Sequence, residues 1–95
     1  NVLWEKTSDS SDMVRLEAIA GLAKRKDKRV KEILIRELQN IDEHGSIILE
    51  SINDFNDFDF VDLLEKQLEI NKITQQVNED WLIMTLRKLK KTAQQ

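Results

Sequence analysis

The chain has no cysteine and no proline, and its 95 residues include glycine only at Gly21 and Gly45. Without thiols it can build neither a disulfide nor a thiolate metal site, which is compatible with a reducing, cytoplasmic setting. Without proline, and with so little glycine, it lacks the frequent turn punctuation that a sandwich of short strands requires. No apolar run approaches the roughly 18–20 residues of a membrane span, and the start of the chain carries no signal-peptide pattern. The length allows one small domain, residues 1–95, that buries roughly 60–65% of the surface its unfolded form exposes. Such a core is marginal unless its packing is regular or something extends it.

What is abundant is helix-forming vocabulary: Leu, Ile, Lys, Glu and Ala dominate. The first question for such a chain is internal repetition. Sliding the sequence against itself by 30 residues places Ile19 on Leu49, Leu22 on Ile52, Val30 on Phe60, Ile33 on Leu63, Leu34 on Leu64 and Leu38 on Leu68. Aspartate returns at half that period, at Asp12, Asp27, Asp42 and Asp57. Aspartate is a strong helix N-cap, because its carboxylate accepts hydrogen bonds from first-turn N–H groups and its charge suits the positive end of the helix dipole. An apolar stripe at spacings of three and four follows each one. The stripes are Val14, Ala18, Ile19, Leu22 and Ala23; Val30, Ile33, Leu34 and Leu38; Ile48, Leu49, Ile52 and Phe55; and Phe60, Leu63, Leu64 and Leu68. These are amphipathic helices that face a shared core.

The pattern predicts an all-α chain with repeat one over 12–40, repeat two over 42–70 and a closing helix over 78–92. Trp81, Leu82, Met84, Thr85, Leu86 and Leu89 mark that last helix, after a polar linker around Asn71 to Val77. The sequence opens on Asn1 rather than Met, and Leu3 and Trp4 lead straight into polar residues, so residues 1–8 read as the tail of a preceding helix in a longer protein.

Val14-Arg15, Ala18, Leu22, Asp27, Val30, Leu34 and Leu38 resemble the HEAT-repeat pattern, and the short period is similar to bacterial HEAT-like repeats of the phycobilin-lyase type. The second unit departs from the pattern, with His44-Gly45 standing where Val-Arg is expected. The resemblance implies a right-handed α-solenoid of antiparallel helical hairpins, about two and a half repeats long, with first helices on the convex side and second helices on the concave side. Such folds serve many unrelated binding roles.

On that expectation the concave face carries Lys28, Glu32, Ile35, Arg36 and Gln39 from one helix, and Phe58, Asp62, Glu65, Lys66 and Glu69 from the other. Ile35 and Phe58 are apolar where solvent is expected and are candidate anchors, although an ordinary charged face with scattered apolar residues accounts for the same pattern. Trp4 and Trp81, on the first and last elements, read as core packing. The sole histidine, His44, has no cysteine to complete a zinc site and no positioned partner for base catalysis. The run Asp54-Phe55-Asn56-Asp57-Phe58-Asp59 superficially suggests calcium, but a phenylalanine occupies the fifth place and the sixth lacks the glycine of an EF-hand loop. Arg87, Lys88, Lys90 and Lys91 complement a helix C-terminus.

Charge falls in bands: net +5 over 24–36, net −8 over 42–69 and net +3 over 72–91. A nucleic-acid binder presents one continuous basic face, and the acidic middle works against that. No phosphate loop, nucleophile set or paired-carboxylate cleft can be placed. The expected function is therefore non-enzymatic: a scaffolding or interaction module, part of a larger repeat protein, that binds a protein partner on its concave face. The expectation includes no cofactor, no metal, no nucleic acid and no membrane. The alternative is part of a HEAT-like enzyme, an alkylated-DNA glycosylase or a bilin lyase, which the family resemblance alone supplies.

Overall fold

A computed structural model describes residues 2–42 and 45–93. Six helices and no strand occur among them: α1 (Val2–Lys6), α2 (Asp12–Lys24), α3 (Val30–Gln39), α4 (Gly45–Phe55), α5 (Phe60–Thr74) and α6 (Glu79–Ala93). Helices α2, α4 and α6 pack side by side, and α3 and α5 pack side by side against them. The result is a slab two helices thick, with extents of 35 × 33 × 16 Å. Helix α1 rests on α2, where a Cβ on Gly21 would lie 3.5 Å from the Leu3 side chain. None of the described helices is long and apolar enough to cross a membrane.

The core lies between the two layers. Ile19, Leu22, Val30, Leu34, Leu38, Ile52, Phe60, Leu64, Leu82 and Leu89 are buried almost completely. Several of these are the residues that recur 30 apart in the sequence. Leu16, Ile41, Val61 and Val77 are buried as well and lie outside the apolar stripes read from the sequence. Helix α2 shows why: α1, α3 and α4 all pack against it. A helix covered on several sides has no single apolar stripe, and α2 carries small or apolar residues around most of its circumference.

The turns are set by local chemistry. Helix α2 ends on Lys26 in the left-handed region, with φ 56°. The Lys26 N–H donates to the Ala23 carbonyl and the Asp27 N–H to the Leu22 carbonyl, each at 3.0 Å. This paired closure satisfies carbonyls that the helix end leaves open. Asp27 then accepts the Arg29 N–H through Oδ1 at 3.0 Å and the Val30 N–H through its carbonyl at 3.0 Å, which caps α3. The second hairpin uses the same device. Asn56 is left-handed at φ 58°, and Asp57 accepts the Asp59 N–H at 2.9 Å and the Phe60 N–H at 3.1 Å.

The other two caps differ from expectation in detail. Ser11, not Asp12, accepts at the start of α2, from the Val14 N–H at 3.5 Å; Asp12 is the first helical residue and pairs with Arg15 at 2.8 Å. Asp42 accepts the Gly45 N–H through its carbonyl at 2.9 Å. Gly45, which breaks the repeat pattern, sits where a Cβ would come within 2.6 Å of Ile41 and 2.9 Å of Val77, so the close approach requires glycine there. His44 lies outside the described residues.

The polar linker expected from Asn71 to Val77 is instead mostly helix, because α5 continues to Thr74. Buried Asn71 holds the turn that follows: its Nδ2 donates to the Val77 carbonyl at 2.9 Å, and its Oδ1 accepts the Val77 N–H at 3.1 Å. Asn78 then caps α6, accepting the Asp80 N–H at 2.9 Å.

Three outcomes follow from these turns. Asn71→Ala strands two buried backbone groups of Val77 and is expected to cost about 2–4 kcal/mol in urea unfolding. A non-glycine residue in the left-handed region costs about 1–2 kcal/mol, partly offset by the greater unfolded-state freedom of glycine. Lys26→Gly is therefore expected to stabilise by about 0.5–1 kcal/mol, whereas Asn56→Gly changes stability little because asparagine tolerates that conformation. Hydrogen bonds from the Arg29 side chain and main chain lower the Asp27 carboxyl from 3.8 to about 2. At Asp57, burial pushes the carboxyl up, but hydrogen bonds from Lys31 and the Asp59 N–H outweigh it and leave it lowered. Both carboxyls bind protons less readily when folded, so their contribution is whole above the ordinary aspartate range and is lost as pH falls below it, for Asp27 through about 2. Far-ultraviolet circular dichroism during acid titration is expected to show that loss, and Asp27→Asn to flatten it.

Candidate functional site

The outward side of the α3/α5 layer is built from helix register. Glu32 and Arg36 lie one turn apart on α3, and Asp62 and Lys66 lie one turn apart on α5; all four are exposed. Each α5 residue stands 30 positions after its α3 counterpart, acid on acid and base on base. Because α3 and α5 lie side by side, the face carries an acidic pair and a basic pair separated by about 6 Å of helix rise. None of the four forms an ion pair with another described residue. Between the helices runs a crease of about 200 Å³ lined by Leu38, Gln39, Leu63, Lys66, Gln67 and Ile70. Ile70 is 43% exposed, and Ile73, one turn further along α5, is 87% exposed.

Other residues assigned to this face from the sequence are engaged or placed differently. Ile35 is half-buried and packs against the core, so it is not a projecting anchor. The Glu65 carboxylate meets the Lys90 ammonium of α6 at 3.5 Å and thus faces the neighbouring helix. Glu69 pairs with Lys72 of its own helix at 3.1 Å. Lys28 and Phe58 lie before the helices begin, in the α2–α3 and α4–α5 turns, and mark one edge of the slab.

At that edge Lys31 joins the two hairpins. Its ammonium donates to Asp59 at 2.7 Å and pairs with Asp57 at 2.9 Å. Those hydrogen bonds, Asp59 first, hold the ammonium in its charged form well above the usual lysine range. Two carboxylates of the calcium-like run are therefore occupied by a lysine. Among the described residues, no three His, Cys, Asp or Glu side chains gather as a metal site. Beside Lys31 a groove of about 510 Å³ is lined by Lys26, Lys28, Phe55, Asn56, Asp57 and Phe58. Phe55 stands edge-on to buried Phe60, with ring centroids 6.3 Å apart at 89°.

The tryptophans take different roles. Trp4 is half-buried, and the Arg29 guanidinium lies 4.8 Å over its ring, tying α1 to the α2–α3 turn. Trp81 is 39% exposed, against the expectation of core packing, and Met84 is 52% exposed. They line a groove of about 380 Å³ between α4 and α6 with Leu49, Glu50, Asn53 and Lys88. The buried side of α6 is Leu82, Thr85 and Leu89. Asn53 of α4 reaches the Thr85 carbonyl at 3.1 Å and fixes the spacing of the two helices. Trp81 and Met84 each adjoin a core residue in sequence, so a count of apolar residues alone merges two sides of the helix.

The chain matches no known family profile, no curated protein and no solved structure.

Proposed function

We propose that the chain is a HEAT-like α-solenoid segment that acts as a non-enzymatic protein-binding module, with the outward side of α3 and α5 as its concave recognition face. Two structural features support the solenoid reading: the layering of α2, α4 and α6 against α3 and α5, and the recurrence of the left-handed residue and capping aspartate. The observation that carries the binding reading is the duplicated charge pattern, Glu32 with Asp62 and Arg36 with Lys66, at exposed positions of two adjoining helices, with Lys66 at the rim of an apolar crease.

A partner that fits this face presents the opposite order, a basic row and an acidic row about one helical turn apart, with an apolar side chain to enter the crease. Exposed charges at an interface steer encounter and select register more than they add affinity. The crease, with Leu63 and Ile70, supplies the apolar contact. The four charged side chains are solvated in the free protein, so exchanging them does not disturb the core.

Photo-cross-linking residues placed at Glu32 and Asp62 are expected to form adducts with the same protein in source-cell lysate, whereas one at exposed Glu17 of α2 forms none. Once that protein is purified, the charge exchange Glu32→Lys with Asp62→Lys is expected to slow its association at least tenfold at low salt. The thermal midpoint is expected to stay within a few degrees. Adducts that are equal from Glu17, or association unchanged by the exchange, would remove the α3/α5 face as the site.

A further inference from the structure

We infer that the groove between the α2–α3 and α4–α5 turns is a second docking site, for a short acidic peptide segment that carries a bulky apolar side chain between carboxylates. The groove has an aromatic wall and a basic rim. Phe58 is 56% exposed, although a phenylalanine ordinarily gains from burial, and it lines a volume of about 510 Å³. Phe55 lies beside it and is held by its edge-on contact with Phe60, so that part of the wall is in place before any ligand arrives.

The rim is Lys26, Lys28 and Lys31. Lys31 is committed to Asp57 and Asp59 and acts as a strut. Lys26 and Lys28 have no ion-pair or side-chain hydrogen-bond partner among the described residues, and neither do adjoining Lys24 and Arg25. Lys26 occupies a left-handed position, as do Asn56 in the second hairpin and Gln75 after α5, and it is one of the two rim lysines that have no internal partner among the described residues.

Charge complementarity selects the occupant. The two unpaired lysines attract carboxylates, and the phenyl wall takes one apolar side chain. A nucleic acid would need a basic track along its phosphates. This patch is short, with two unpaired lysines in one turn, and offers no such track. The site lies at the slab edge and is distinct from the α3/α5 face, so either can fail without the other.

The test uses the intact chain and a capped hexapeptide of four glutamates around a central pair of leucines, titrated in amide chemical-shift mapping. Expected shifts are confined to residues 26–31 and 55–58, with a Kd below about 1 mM. Phe58→Ala and Lys28→Glu are each expected to weaken binding at least tenfold with no loss of thermal midpoint. Lys26→Gly discriminates most sharply: it is expected to raise the thermal midpoint while weakening the peptide several-fold. Four results would overturn the proposal: no saturable shift at the groove, equal binding of a peptide with serines in place of the leucines, displacement of the peptide by an equimolar oligothymidylate, or self-association abolished by the same variants. The last would assign the groove to a second copy of the chain.

Discussion

The spacing of the hairpins rests on one local device, a left-handed residue followed by a capping aspartate. Lys26 with Asp27 closes α2 and opens α3; Asn56 with Asp57 closes α4 and opens α5. Each closure reverses the chain within a few residues and leaves few helix-end donors or acceptors without partners. The second aspartate cap also accepts the ammonium of Lys31 from the first hairpin. The residue that begins one helix therefore also contacts the neighbouring hairpin. The two reversals share the left-handed residue and the aspartate but differ in how the helix end closes: a paired closure on Ala23 and Leu22 in the first, a single Asn56 N–H to the Ile52 carbonyl in the second.

That device also explains which parts of the fold were legible in the sequence. Capping and left-handed closure are local, so Asp27 and Asp57 could be read directly. At the start of α2 two cap-competent residues adjoin, and Ser11 takes the position while Asp12 turns to Arg15. Asn71 could not be read this way. As a polar residue near Gln and Lys it looks like linker, yet it is buried because its amide matches both backbone groups of Val77 six residues later. No periodicity reveals a side chain whose partner is a turn. Gly45 is similar: its departure from the repeat is explained only by the approach of Ile41 and Val77.

The candidate sites were less legible for a geometric reason. Lys28 and Phe58 were placed on a helical face by continuing the wheel back past the cap, but residues in a capping turn leave the helix axis. They form the edge of the slab instead. Ile35 stands at the margin of the α3 stripe, where a neighbouring helix decides whether a residue is covered. Glu65 was read as outward until Lys90 of α6 claimed it. In each case the sequence determines the helix, and the adjoining helix determines exposure.

The charge bands acquire a physical meaning once the turns are placed. The basic band is concentrated in the α2–α3 turn and the acidic band runs through the α4–α5 turn, so opposite charges adjoin along one edge. Lys31 neutralises part of that contrast within the molecule. The remainder, Lys24, Arg25, Lys26 and Lys28, is positive charge without an internal partner among the described residues. Internal pairing alone would be served by one lysine between two aspartates. Pairing therefore accounts for Lys31, whereas the left-handed turn is met by lysine, asparagine and glutamine alike at positions 26, 56 and 75. The two lysines line the same groove and differ in that Lys31 is bound within the molecule while Lys26 carries its charge at the rim.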